Sequence, residues 1–441
     1  MTGRQAPRRA VALLAVMVAA AGVVHALPRQ DRNLETFDAA WNIINDTYWD
    51  PDFNGIDWQA VRDELRPQAA AAQSPGELRA VIDEMISRLG QSHFAVWPRS
   101  TLAALRAGDE SVRAGGGDPG FETVLIDGRF VVARVQEDGP AAAAGVEPGW
   151  VVQRVDGEEV GTADLPDAES VESHTLAVAA QRGMDSRLSG VPGETLQLVM
   201  IDGNDEERDI DIQVARPRGR RTTFGNMPTL FARLDSRVLH PDLDLSVGLI
   251  GFNIWLPVLS RPFDEALDAM RDADGIILDL RGNPGGVGGM VMGIGGHFVS
   301  EPVALGTMRT RNDELRFVAN PRRIDSHGES VEPYDGPLAI LIDSTSASTS
   351  EVFAGGLQAI GRARIFGQRS MGAALPSMMD DLPNGDVLQH AIADFVVTET
   401  GVRLEGRGVV PDEEIHLSRA ELLAGRDPTL DAAIEWIVGQ R

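Results

Sequence analysis

The chain has 441 residues, with 66 acidic against 40 basic ones and a net charge of −26 at pH 7. That balance argues against nucleic acid or an anionic membrane surface as a partner, since both need basic patches. Cysteine is absent, which excludes disulfides, thiolate zinc sites, a cysteine nucleophile and a lipoprotein anchor.

The length is enough for two or three domains. The first residues read as a secretory signal over 1–26. Arg4, Arg8 and Arg9 form a basic start, residues 10–24 are apolar, and Val24-His25-Ala26 sets small residues at cleavage spacing. The apolar stretch is short and alanine-rich for a bilayer span. The expectation is an exported protein, periplasmic or extracellular, with no membrane span once the signal is removed.

Residues 27–100 read as a helical domain. Leu34, Phe37, Trp41 and Ile44 recur at helical steps. Asp57-Trp58 begins a second helix, and Ser74-Pro75 a third with proline in its first turn. The segment ends in LGQSHFAVWP.

A β-rich domain is expected over 101–217. Strands at 121–126 and 130–135 flank the Asp127-Gly128 turn. A short helix follows at Gly139-Pro140-Ala141, a strand opens at Gly149, and Asp156-Gly157 makes another hairpin turn. Strands at 196–201 and 210–214 close the unit near Pro217. The polar stretch 163–191 reads as an insertion. This order of elements resembles a PDZ domain of the circularly permuted kind found in bacterial proteases.

From 218 to 441 strands and helices alternate, as in α/β folds. Strands are expected at 247–254, 275–280 and 338–342, and helices at 263–273 and 352–360. The fold class expected is multidomain α+β: a helical segment, a PDZ-like β domain and an α/β catalytic core.

Two motifs follow buried strands. DLRGNPGGVGG, starting at Asp279, is a glycine-rich turn that lets backbone approach a ligand closely. It lacks the dinucleotide fingerprint G-x-G-x-x-G. DSTSASTSE, starting at Asp343, is a hydroxyl-rich run opening a helix. A serine there meets unpaired N–H groups and a favourable dipole. The chain has no lysine, and arginine stays protonated at any working pH. A serine nucleophile here must therefore find its base elsewhere.

DLRGNPGG, STSASTSE, GQRSMGAALPS and the ending LEGRGVVPDEEI, in this order, together resemble the C-terminal processing (tail-specific) peptidases and their tricorn-core relatives. That resemblance implies a ClpP/crotonase-like core acting on polypeptides without a cofactor. It puts the nucleophile at Ser348, with the Thr349 N–H and a Gly285 or Gly286 N–H as oxyanion donors. The Ser/Lys branch carries a lysine where this chain has Ala373. The tricorn-like branch instead uses Ser, His and Glu. Here Ser92-His93 and Glu405 match its pattern. His93 would take the Ser348 proton, Glu405 would fix the imidazole tautomer, and Ser92 would orient His93 or the oxyanion. Gly120 and Phe121 match the loop and edge that hold a peptide by strand addition. His174, His240, His297, His327 and His390 lack comparable context. No metal site is expected without cysteine or an H-E-x-x-H helix. Assembly into an oligomer is compatible with the sequence. The competing reading is a non-catalytic relative that binds peptides or lipophilic ligands.

Overall fold

The computed structural model describes residues 28–99, 116–161, 171–225, 229–241 and 244–440, with the side chains of 171–173 left aside. The expected signal at 1–26 lies outside the described residues. Among those described, no helix is long and apolar enough to cross a membrane.

The N-terminal segment folds as helices Arg29–Thr47, Trp58–Ala71 and Pro75–Ser87. Their starts follow the sequence signals. The Asp57 carboxylate accepts the Ala60 N–H at 2.9 Å, and the Ser74 hydroxyl accepts the Glu77 N–H at 3.2 Å. Phe37, Ile44, Trp58, Leu65 and Ile82 form a buried cluster, and Leu382 and Leu388 from the far end of the chain complete it. The bundle is thus fused to the strand pair Ser377–Asp381 and Val387–Ala391. Ala95–Trp97 adds a third strand to that pair, aligned with Gln389, Leu388 and Val387.

The middle of the chain forms an antiparallel sheet ordered Phe121–Ile126, Arg129–Val135, Val151–Val155, Thr195–Ile201, Glu207–Gln213. Asp127 and Gly128 both take positive φ, 51° and 72°, as a tight two-residue hairpin turn requires. The stretch expected as a polar insertion instead carries a helix, Val171–Leu188. Its Met184 and Leu188 are 2% and 4% exposed and pack with Phe121, Val132 and Leu198. The polar Gln181, buried on the same face at 3% exposure, masks the helical period in the sequence.

The last part is built on a six-stranded sheet ordered Leu234–Leu239, Val247–Phe252, Gly275–Asp279, Leu338–Ile342, Arg364–Gly367, Glu413–Glu414. The first pair is antiparallel and the remaining pairs are parallel. Helix Ser260–Asp268 is shorter than expected, ending several residues before Ala273. Thr349–Ala359 follows the fourth strand. Leu422 packs on the outer face of the middle sheet against Ile126, Val131 and Val151. Arg419 donates to the Gly149 and Asp202 carbonyls. A Cβ at Gly149 would lie 2.5 Å from Leu423 Cγ, so the seam admits only glycine.

Because Met184 belongs to the core rather than to a loop, Met184→Ala is expected to destabilise the protein by about 2–5 kcal/mol. Urea unfolding measures this; a tolerant insertion would show almost no change.

Candidate active site

Three neighbouring parallel strands, Gly275–Asp279, Leu338–Ile342 and Arg364–Gly367, end on the same side of the sheet. Ligand sites in such sheets form beyond the carboxyl ends of the strands. The glycine-rich turn, the serine run and the loop 368–374 leave from these three ends, so topology alone brings the three motifs together.

Asp343 ties two of them. Its carboxylate accepts the Gly282 N–H at 3.0 Å, the Thr345 hydroxyl at 2.7 Å and the Ser346 N–H at 3.0 Å. Two of the four serines are structural. The Ser346 hydroxyl donates to the Leu280 carbonyl at 2.8 Å, and the Ser350 hydroxyl to the Asn283 carbonyl at 3.0 Å. Both serines are fully buried. Ser344 is partly exposed beside the cleft.

Ser348 differs from them. It is partly exposed and sits immediately before the helix at φ 53°, ψ −115°. A non-glycine residue held there costs roughly 1–3 kcal/mol, so its surroundings must enforce the shape. Its N–H donates to the Ala373 carbonyl at 2.9 Å and to Glu351 Oε2 at 2.8 Å.

Glu351 has no counterpart among the expected site residues. It is 1% exposed, and its carboxylate accepts four donors. Besides the Ser348 N–H, these are the Ser370 hydroxyl at 2.6 Å and the Gly372 and Ala373 N–H groups at 2.7 and 3.0 Å. Burial pushes its carboxyl up to about 7, and the four hydrogen bonds oppose that rise. Four donors facing two oxygens favour the ionised form. The spacing Ser348-x-x-Glu351 is the capping-box signature, a signal already present in the sequence.

Gly285 and Gly286 lie against Ser348 and Trp255. A Cβ on Gly285 would sit 2.7 Å from Ser348 Cβ, and one on Gly286 2.4 Å from the Trp255 carbonyl. The Gly285 N–H donates to Asn283 Oδ1 at 3.0 Å, so it is already engaged and is not available to an oxyanion. The Gly285 carbonyl accepts the Trp255 N–H at 2.9 Å. In a planar trans peptide this turns the Gly286 N–H away from Trp255. Among the described residues the Gly286 and Thr349 N–H groups have no hydrogen-bond partner.

His93 arrives from outside the sheet, where the helical bundle hands over to strand Ala95–Trp97. The Ser92 hydroxyl lies 2.7 Å from His93 Nδ1 and 2.8 Å from Glu405 Oε2. Glu405, 8% exposed, also accepts the Ser92 N–H at 2.7 Å and the Ala374 N–H at 2.9 Å. Glu405 therefore reaches the imidazole through Ser92, not directly as the sequence reading had it. A carboxylate only accepts, so Ser92 gives its proton to Glu405 and must accept from His93 Nδ1–H. The network assigns the Nδ1–H tautomer and leaves Nε2 with a lone pair. Burial, with the nearby Arg182 charge, lowers the imidazole pKa to about 4, so His93 is neutral near pH 7.

No hydrogen bond joins His93 to Ser348 among the described residues. The link between them is backbone: the Ala373 carbonyl holds Ser348 and the adjacent Ala374 N–H holds Glu405. His93, Ala347 and Ala373 line one cleft of about 1270 Å³. Catalytic hydrogen bonds are often long in the unliganded state.

Gly120 and Phe121 open the edge strand of the middle sheet. The Gly120 N–H donates to Asp118 Oδ1 at 2.8 Å, so a carboxylate of the chain itself occupies that donor in the loop expected to hold a peptide. Phe121 is buried. Gln181 Nε2 reaches across to Thr123 Oγ1 at 3.1 Å and spans the groove beside this strand. Of the other histidines, His297 bonds Asp264 and His390 bonds Asp380, at 2.8 and 2.7 Å; neither lines the cleft.

Residues 247–415, which hold the glycine turn, the serine run and Glu405, match peptidase family S41. This chain carries a peptidase family S41 domain. Residues 29–87 match the tricorn protease C1 domain. The S41 match makes the chain a serine-type peptidase. The carboxyl-terminal-processing protease of Synechocystis sp. is 24% identical over 91% of this chain and 86% of its own length. Tricorn protease of Thermoplasma acidophilum is 25% identical over 92% of this chain but only 34% of its own. A solved photosystem II D1 C-terminal processing protease shares the fold at TM-score 0.58, with 20% identity over 90% of this chain and 98% of that one.

Two measurements test this geometry. Glu351→Gln turns an NH₂ toward backbone donors and leaves about two of them unpaired, so a loss of roughly 2–5 kcal/mol is expected in urea unfolding. An NMR pH titration should find His93 neutral, with its proton on Nδ1, well below the 6.5 of a free imidazole and down toward about 4. In Ser92→Ala the proton should spread over both ring nitrogens.

Proposed function

We propose that this S41 peptidase is an exported endopeptidase that cleaves polypeptides through Ser348, with His93 as base and Glu405 acting through Ser92. The observation that carries the reading is the Glu405–Ser92–His93 chain, which leaves Nε2 with a lone pair in the cleft that Ala347 and Ala373 also line. Ser348 Oγ attacks the scissile carbonyl carbon while His93 Nε2 takes its proton. The oxyanion is received by the Thr349 and Gly286 N–H groups. Collapse breaks the C–N bond, and His93 returns the proton to the leaving amine. Water, activated by the same imidazole, then hydrolyses the acyl-enzyme. An approach of His93 to Ser348 is part of this cycle.

Ala373 supports the choice of base. It is 5% exposed at the loop position where a Ser/Lys enzyme places its lysine, and no lysine occurs in the chain. The middle sheet serves as a PDZ-like substrate module that offers its edge strand to the polypeptide. With Gly120 engaged by Asp118, side chains and the strand edge do the recognition there. Export rests on the signal-like residues 1–26. The relatives are peptidases, so the non-catalytic reading is not favoured.

A fluorophosphonate probe should label the protein at Ser348, and Ser348→Ala should abolish both labelling and casein degradation. His93→Ala should lower turnover by at least about a hundredfold. Label retained in Ser348→Ala, or turnover indifferent to His93→Ala, would sink the assignment.

A further inference from the structure

Arg182 is the arginine of the cleft whose charge acts on His93. It projects from helix Val171–Leu188 of the middle unit and lines the same cleft as His93. Its Nη2 lies 2.8 Å from the sulfur of Met371, and a thioether is a weak acceptor. Among the described residues no carboxylate lies within ion-pair distance of Arg182, nor of Arg218 or Arg237, whereas Arg134, Arg233, Arg281 and Arg426 each hold one; of the three without one, Arg182 is the one whose charge acts on His93. The acid one turn along its own helix, Asp185, is bonded by Gln181 Nε2 at 2.9 Å instead. In a chain with 66 acidic residues to 40 basic ones, an arginine left without an acid beside the reacting groups is a fork awaiting an anion. Met371 places it over the loop that contains Ala373, whose carbonyl holds Ser348.

We propose that Arg182 is a specificity-determining residue that binds a carboxylate of the polypeptide substrate close to the scissile bond. The carboxylate comes from an Asp or Glu side chain or from the substrate's own C-terminus. This rests on the assignment of Ser348 and His93 given above. Binding also acts on the base. The Arg182 charge disfavours the imidazolium form of His93, and a substrate carboxylate neutralises that charge when it docks. The right substrate thereby makes His93 a stronger base, so the preference appears in kcat as well as KM.

The test uses the full-length protein and matched peptides: one neutral, one with Glu replacing Gln beside the cleavage site, and free-acid against amidated termini close to that site. Wild type should favour one carboxylate peptide over its neutral twin by roughly ten- to a hundredfold in kcat/KM. The pair that shows the preference names the source. In Arg182→Gln the ratio should fall toward one, and Arg182→Lys should keep part of it. Arg182 is exposed, and matching thermal unfolding curves check that the fold is intact. The same peptides are bound to Ser348→Ala by fluorescence anisotropy, which reads recognition without turnover. A charge preference there that vanishes with Arg182→Gln supports the proposal. Equal binding of charged and neutral twins, or a preference that survives Arg182→Gln, overturns it. Wild type that binds with the expected preference but neither cleaves nor labels would instead overturn the peptidase assignment.

Discussion

The site depends on one buried carboxylate. Glu351 gathers the Ser348 N–H, the Ser370 hydroxyl and the Gly372 and Ala373 N–H groups onto two oxygens. Those donors come from two separate loops, and without it the Ser370 hydroxyl and the Gly372 and Ala373 N–H groups would be unpaired buried donors. An unmet buried donor costs about 1–3 kcal/mol, so the set strongly favours the conformation in which both loops meet. That conformation holds Ser348 at φ 53°, a shape serine does not choose by itself.

From that knot the site extends outward along one backbone segment. Ala373 faces the nucleophile and Ala374 faces Glu405. Glu405 in turn anchors Ser92, and Ser92 sets the proton on His93. The residues proposed as nucleophile and base are therefore positioned by the same loop, although more than two hundred residues separate them in the chain. A change in the loop's position reaches both. The Val171–Leu188 helix touches this loop at Met371 through Arg182, which gives the middle unit a physical hold on the site.

Much of the fold was legible because it rests on local chemistry. Asp57 and Ser74 mark helix starts, and Asp127-Gly128 marks a hairpin, through interactions spanning a few residues. The buried strands 275–279 and 338–342 read as continuous apolar runs for the same reason. Helix Val171–Leu188 was missed because a polar residue, Gln181, occupies its buried face and bonds Thr123 and Asp185 there. A periodicity argument cannot anticipate a buried glutamine whose partners are decided elsewhere.

For the site, the sequence by itself determined the cast: a serine run after a buried strand, a glycine turn, a Ser-His pair, an acid near the C-terminus and no lysine. Only the tertiary structure decided the connections. It interposed Ser92 between Glu405 and His93, engaged Gly285 with Asn283 and Gly120 with Asp118, and brought Glu351 under Ser348. The reason is that residue type sets which groups can donate or accept, whereas a hydrogen bond forms only where chain folding brings donor and acceptor within about 3 Å. Spacing along the chain carries that information within one turn of helix or hairpin, and not between loops hundreds of residues apart.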